Sequence, residues 1–305
     1  MTTLVFGHKS PDTDSTASPI AWAWYLSQQG DDAQPVLLGE PNTEAAFMLD
    51  RWGLEKPRVI DDLDPGARVV VVDTNNPAEL PASIHDAEVL QIVDHHKLTG
   101  GLETKGPIDV TIRPLACTCT IMAEMMGPTL DDAPEGVKGA MLTAILSDTL
   151  EFRSPTTTDR DRAVADRLAG DLGVAIPDLA AEMFAAKSDV SHLSETDLIR
   201  SDSKEYPVGD LKFRVSVLET TAPGPVLDRK ASLIDAMPGV AKEDGVDEVL
   251  LFVVDILQEE ATLLIPNDRV KAVAEKSFGV TVDGDAVRLP GVMSRKKQIV
   301  PVLTA

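Results

Sequence analysis

Leu4-Val5-Phe6-Gly7-His8-Lys9-Ser10-Pro11-Asp12-Thr13-Asp14 is the stretch whose reading decides the fold. Three apolar residues predict a buried strand, and the Gly, Ser, Pro and Asp after them predict the loop that leaves its carboxyl end. Open α/β sheets bind ligands at that end. His8, Asp12 and Asp14 offer an imidazole and two carboxylates on one loop, a donor set suited to a borderline-hard divalent cation. Asp12 and Asp14 taken alone have a plainer use, shaping a turn and capping the next helix.

Outward from this loop, apolar residues at near-helical spacing predict a helix over 15–29, stopped by Gly30. Trp22 and Trp24 fit helix packing. A strand over 35–38, a helix over 43–52 capped by Thr43 and a strand over 58–60 continue a βαβ alternation, so the sheet is expected to be mainly parallel. Arg68-Val69-Val70-Val71-Val72-Asp73 is a β-branched run of the kind covered on both faces, and it ends in a carboxylate. Val89-Leu90-Gln91-Ile92-Val93 repeats the pattern and ends in Asp94-His95-His96. Two of the chain's five histidines at a third such strand end turn an unremarkable acid into a candidate site.

A strand over 108–113 and a helix capped by Thr118 or Thr120 and running through Met126 come next. A helix over 137–146 then delivers Ser147-Asp148-Thr149. An acid at a helix C-terminus opposes the macrodipole, and a metal would explain why it is tolerated. Further helices fit 159–172 and 178–186, and the polar stretch 187–204 reads as a connection between domains. Beyond it lie strands over 212–218, 249–257 and 261–265, helices over 228–236 and 269–278, and a hairpin over 280–287 built on Asp283-Gly284. The fold class is α/β. A metal-binding catalytic domain over 1–187, a hinge over 188–204 and a smaller mixed α/β domain over 205–305 are expected, with the active site in the cleft between the domains.

With 305 residues the chain has room for two domains. A hydrophobic content of 43% describes a soluble globular protein, with no run of the roughly 18 apolar residues that a membrane span needs. The short lead into the first strand leaves no signal peptide, which places the protein in the cytoplasm. Cys117 and Cys119, the only two cysteines, are too close for an ordinary disulfide and fit as small buried residues. The net charge of -22 argues against nucleic-acid or anionic-membrane partners. Spread over the whole chain, the acid surplus resembles the surface of a protein from a high-salt, halophilic cytoplasm. Salt at about 1 M would screen it within ~3 Å and still admit an anionic substrate.

Collected, His8, Asp12, Asp14, Asp73, His95 and Asp148 supply four carboxylates and two imidazoles. They can hold two divalent ions if one carboxylate bridges. Two metals about 3.5–4 Å apart share a water, lower its pKa and aim it at an electrophile, an arrangement used for phosphoryl hydrolysis. Ser294-Arg295-Lys296-Lys297-Gln298 sets three consecutive cations in an acid-rich chain, which favours an anion site. Arg295, Lys296 and Lys204 would neutralise phosphate oxygens.

The His8-to-Asp14 loop, Asp73 at its strand end, Asp94-His95-His96, Ser147-Asp148 and the 294–298 tail resemble the DHH phosphoesterase superfamily. Together with Asp202-Ser203-Lys204-Glu205, the tail is specifically similar to the manganese-dependent (family II) inorganic pyrophosphatases. The resemblance covers nearly the whole chain. It implies hydrolysis of pyrophosphate to two orthophosphates by a metal-bridging water, two Mn²⁺ per subunit with Co²⁺ as a substitute, and additional Mg²⁺ carried with the substrate. It assigns His8, Asp12 and Asp73 to one metal and Asp14, Asp73, His95 and Asp148 to the other. His96, Lys204, Arg295 and Lys296 would bind the substrate, and a homodimer is implied. Where the family commonly has Asp-His-Asn, this chain has Asp73-Thr74-Asn75, so an imidazole that would support the ligands is missing. The rival is a DHH-type phosphodiesterase or short-oligonucleotide exonuclease, whose relatives carry a Gly-Gly-Gly-His motif that this chain lacks. A silent phosphate-binding module is the remaining alternative, and against it all six ligands are present.

Overall fold

A computed structural model describes residues 2–304. The chain divides into two compact units, Met1–Lys187 and Ser188–Ala305. In the first, β1 (Thr3–Phe6), α1 (Thr13–Gln28), β2 (Ala33–Leu37), α2 (Thr43–Arg51), β3 (Arg58–Val59), β4 (Arg68–Val72), β5 (Glu88–Asp94) and β6 (Asp109–Ile112) precede four helices. These are α3 (Thr118–Met126), α4 (Glu135–Asp148), α5 (Asp159–Leu172) and α6 (Ile176–Lys187). The six strands are all parallel, in the order β3-β2-β1-β4-β5-β6.

The valine run of β4 lies at the centre with both faces covered, Val69 to Val72 all being buried. That is why it carries no polar alternation. Phe6, Val36, Val69, Val71, Ile84 and Ile92 share one cluster. Gly7 is required by close approach rather than by backbone conformation, since a Cβ there would lie 1.9 Å from Ser15 Oγ in the first turn of α1.

The second unit contains α7 (Glu195–Arg200), β7 (Ser203–Val208), β8 (Leu211–Thr220), α8 (Gly224–Leu227), α9 (Lys230–Asp244), β9 (Glu248–Asp255), β10 (Glu260–Leu264), α10 (Asp268–Phe278) and β11 (Ala286–Pro290). Its mixed sheet has the order β11-β10-β9-β8-β7, with β8 and β9 parallel and the other pairs antiparallel. β9 shows the period of two plainly. Val249, Leu251 and Val253 pack with Leu233 and Met237 of α9, while Leu250, Phe252 and Val254 pack with Val270 and Val273 of α10.

Several local expectations are corrected. The Asp283-Gly284 turn exists, with Gly284 at φ +96, but 280–283 forms no strand and β11 pairs with β10 instead. Helix α2 is capped by Asn42, whose side chain accepts from Ala45 N at 2.8 Å, and not by Thr43. The N-cap of α3 is Cys117, with no side-chain cap bond. The polar stretch 188–204 contains α7 and the start of β7, and Leu198 and Ile199 are buried in the core of the second unit.

Candidate active site

The strand order reverses between β1 and β4, which makes the space beyond their carboxyl ends the topological switch point of the sheet. His8 follows β1, Asp73 follows β4, and His95 and His96 follow β5. Asp14 stands in the first turn of α1, and Asp148 is the last residue of α4. Residues scattered from 8 to 148 thus meet. His8 Nε2 lies 3.6 Å from Asp73 Oδ2 and 3.7 Å from Asp12 Oδ2. His95 Nε2 lies 3.4 Å from Asp73 Oδ1. The sets His8-Asp12-Asp73, Asp14-His95-Asp148 and Asp73-His95-His96 each bring candidate ligand atoms within 4.8 Å of one another.

The plain and the functional readings of Asp12 coexist, one per oxygen. Oδ1 caps α1 by accepting from Ser15 N at 2.9 Å, and Oδ2 faces His8. His95 Nδ1 sits 3.2 Å from the Leu115 carbonyl, which can only accept, and this contact orients the ring so that Nε2 faces Asp73. His96 Nδ1 lies 2.9 Å from Asp94 Oδ1, and this bond raises the imidazole's pKa above its usual value. Asp94 is buried, which acts to raise its pKa, but the bonds from His96 and from Asn75 Nδ2 at 2.5 Å outweigh that and hold it low. Thr74, at the position of the expected histidine, turns its hydroxyl to Glu79 Oε2 at 2.6 Å.

Asp73 has φ +56, a left-handed conformation that a non-glycine residue adopts at some cost. Asp73 and Asp148 are both pushed well above the ordinary carboxyl pKa, by burial first and then by the charges of Asp14 and Asp12. Asp73 and Asp148, so placed, either hold protons or require cations. Cations are the better fit, because Asp148 Oδ2 is buried without any hydrogen-bond partner, an orphaned acceptor that a metal would satisfy. Cys117 and Cys119 are buried, free and close to Asp14. Burial pushes the Cys119 thiol up to about 11 and Cys117 well up as well, so both stay as protonated thiols at neutral pH.

Thr118 was invisible to sequence reasoning as anything but a cap. It is fully buried, its backbone N donates to Asp14 Oδ2 at 2.6 Å, and its hydroxyl donates to Asp73 Oδ1 at 3.1 Å. Cys119 N adds a bond to Asp14 Oδ1 at 3.3 Å and Ser18 Oγ another at 2.7 Å. The N-terminus of α3, where free N–H groups and the helix dipole favour anions, is spent on a candidate metal ligand. In the second unit, Lys204, Arg295 and Lys296 line one groove together with Asp202, Tyr206 and Glu219.

Residues 2–148 match the DHH family N-terminal domain, and residues 181–305 match the DHHA2 domain. The chain is 41% identical over 305 residues to a protein of Deinococcus radiodurans named probable manganese-dependent inorganic pyrophosphatase, covering 98% of this chain and 96% of that one. It is 37% identical over 303 residues to the manganese-dependent inorganic pyrophosphatase of Bacillus subtilis, covering 99% and 97%. A crystal structure from Methanococcus jannaschii, assigned to family II inorganic pyrophosphatase, aligns with a TM-score of 0.60 and 33% identity over 98% of this chain and 97% of that one. With likeness of this depth along its full length, the chain belongs to the manganese-dependent, family II inorganic pyrophosphatases.

Proposed function

We infer that the protein is an inorganic diphosphatase that hydrolyses pyrophosphate to two orthophosphates. The observation that carries this is the meeting of four carboxylates and two imidazoles at the carboxyl ends of β1, β4 and β5, with a buried acceptor of Asp148 left over. His8, Asp12 and Asp73 would hold one Mn²⁺, and Asp14, Asp73, His95 and Asp148 a second, with Asp73 shared. Co²⁺ is an acceptable substitute for such N/O donors. When bound, such a pair supplies Lewis acidity and an acidified water.

The chain's own residues do the rest. Asp94 favours the protonated form of His96 by raising its pKa, and the imidazole offers a donor to a phosphate oxygen. Lys204, Arg295 and Lys296 offset the charge that develops on the leaving phosphate. Mg²⁺ in addition would accompany the substrate. Thr118, Ser18 and the amide of Cys119 keep Asp14 and Asp73 oriented. The junction of the two units at Lys187 and Ser188, ahead of α7, is proposed as the hinge that lets the second unit engage substrate.

Reduced, buried cysteines agree with a cytoplasmic setting, and among the described residues no helix is long and apolar enough to cross a membrane. A homodimer is the assembly we propose. Supporting it, β6 is an edge strand whose Val110 is 49% exposed, and Leu98, in the same groove, is 73% exposed. Sedimentation at micromolar concentration should give twice the mass of 32.7 kDa; a monomer would remove this part of the reading.

Phosphate release from pyrophosphate, measured beside a bis-nucleotide control, tests the activity. Mn²⁺ should support it, chelation should abolish it, and the bis-nucleotide should stay intact. Full activity of metal-stripped protein with Mg²⁺ alone would overturn the assignment.

A further inference from the structure

The groove of the second unit holds an acid among its cations. Asp202 lines it beside Lys204 and Arg295, although a carboxylate there repels the phosphate that the cations attract. Its contacts explain its presence. Arg295 Nη1 donates to the Asp202 backbone carbonyl at 2.7 Å, and Arg295 Nη2 pairs with Asp202 Oδ1 at 2.8 Å. That same carbonyl also accepts from Val217 N of β8 at 2.9 Å, so the group that grips the arginine is itself fixed to the sheet.

Lys204 is referenced to the same strand, since in the β7–β8 ladder it stands opposite Val215. Asp202 is the turn residue that leads into β7, and both it and Lys204 line the groove. The tail that carries Arg295 is therefore registered against β8 through Asp202, and Lys204 is registered against β8 through its own strand. A guanidinium has five N–H donors. Two are used on Asp202, leaving three to face an anion.

We propose that Asp202 is a positioning residue: it locks Arg295 at a set spacing from Lys204, so that both cations meet the phosphate oxygens together. This rests on the reading of Arg295 and Lys204 as substrate contacts. It adds to that reading the residue that converts a flexible arginine into a fixed donor, and the loss of its freedom before substrate arrives is what makes it effective.

The test is a double-mutant cycle on the full-length, manganese-loaded protein, with steady-state pyrophosphate hydrolysis, metal content and melting temperature measured for wild type, D202A, R295K and D202A/R295K. R295K should lower kcat/KM about ten- to hundredfold, because Lys lacks the planar fork. D202A should lower it about tenfold, with metal content and melting temperature unchanged. In the R295K background D202A should add little, because its effect passes through the arginine. A purely structural role would give the same loss in both backgrounds. Wild-type kcat/KM in D202A beside a slow R295K overturns the role of Asp202 alone, as does a full additive loss or a gain in D202A. Wild-type kcat/KM in R295K overturns the anion-clamp reading on which the proposal stands.

Discussion

At the scale of single residues, the site is a store of unfavourable charge. Burial and mutual repulsion raise Asp73 and Asp148 above the ordinary value of 3.8, and Asp94 raises His96 above 6.5. The raised carboxyls cost nothing when protonated in both states, and their cost grows as pH climbs from the unfolded value toward the folded one. The raised histidine contributes stability below 6.5 that is lost as pH passes its folded value. Asp12 and Asp94 are lowered, so their contribution is complete above about pH 5 and no longer varies. All the remaining terms point one way, and metal-free protein should be less stable at pH 8 than at pH 5.5. Tm should therefore fall between these two pH values, and Mn²⁺ should remove most of the fall. Calorimetry with chelator and with Mn²⁺ checks this, and a flat or rising Tm without metal would contradict it. The residues concerned were legible in the sequence because each stands at the end of a strand or helix whose apolar run announces it. Their protonation was not, because it depends on neighbours far away in the chain, as Asp14 is from Asp148.

At the scale of elements, the sequence carried the parallel sheet well. The valine run of β4 and the apolar run of β5 have no alternation to confuse the reading. It failed where tertiary contacts set the outcome. β7 escaped notice because its first half, Ser203-Lys204-Glu205, is polar and Pro207 interrupts the second, both of which an edge strand tolerates. The Asp283-Gly284 turn is genuine, but its supposed strand partner lost to β10. Helix α3 is the consequential case, because its first amides reach Asp14, 104 and 105 residues away in the chain, and the Thr118 hydroxyl reaches Asp73, 45 residues away. Thr118→Val keeps the shape and removes only the hydroxyl, so manganese affinity should fall about ten- to hundredfold with the helix intact. Thr118→Ser should restore it. Titration calorimetry with Mn²⁺ measures both, and unchanged affinity in the valine variant would show that the backbone amides suffice.

At the scale of the whole molecule, the charge of -22 is the feature no single contact explains. Like charges unscreened destabilise a compact state, so stability and activity should hold at molar KCl and decline as salt is withdrawn with metal present. Circular dichroism across a salt series decides it, and equal stability in dilute buffer would leave the acid surplus without a halophilic cause. The division of labour along the chain has a consequence for synthesis. Every candidate metal ligand lies between residues 8 and 148 and inside the first unit, which closes at Lys187. Domains fold as they leave the ribosome, N-terminal first. If the first unit folds on emergence, its candidate ligands would be assembled while the cationic groove is still being translated, and the nascent protein would be able to bind metal before it can meet its substrate.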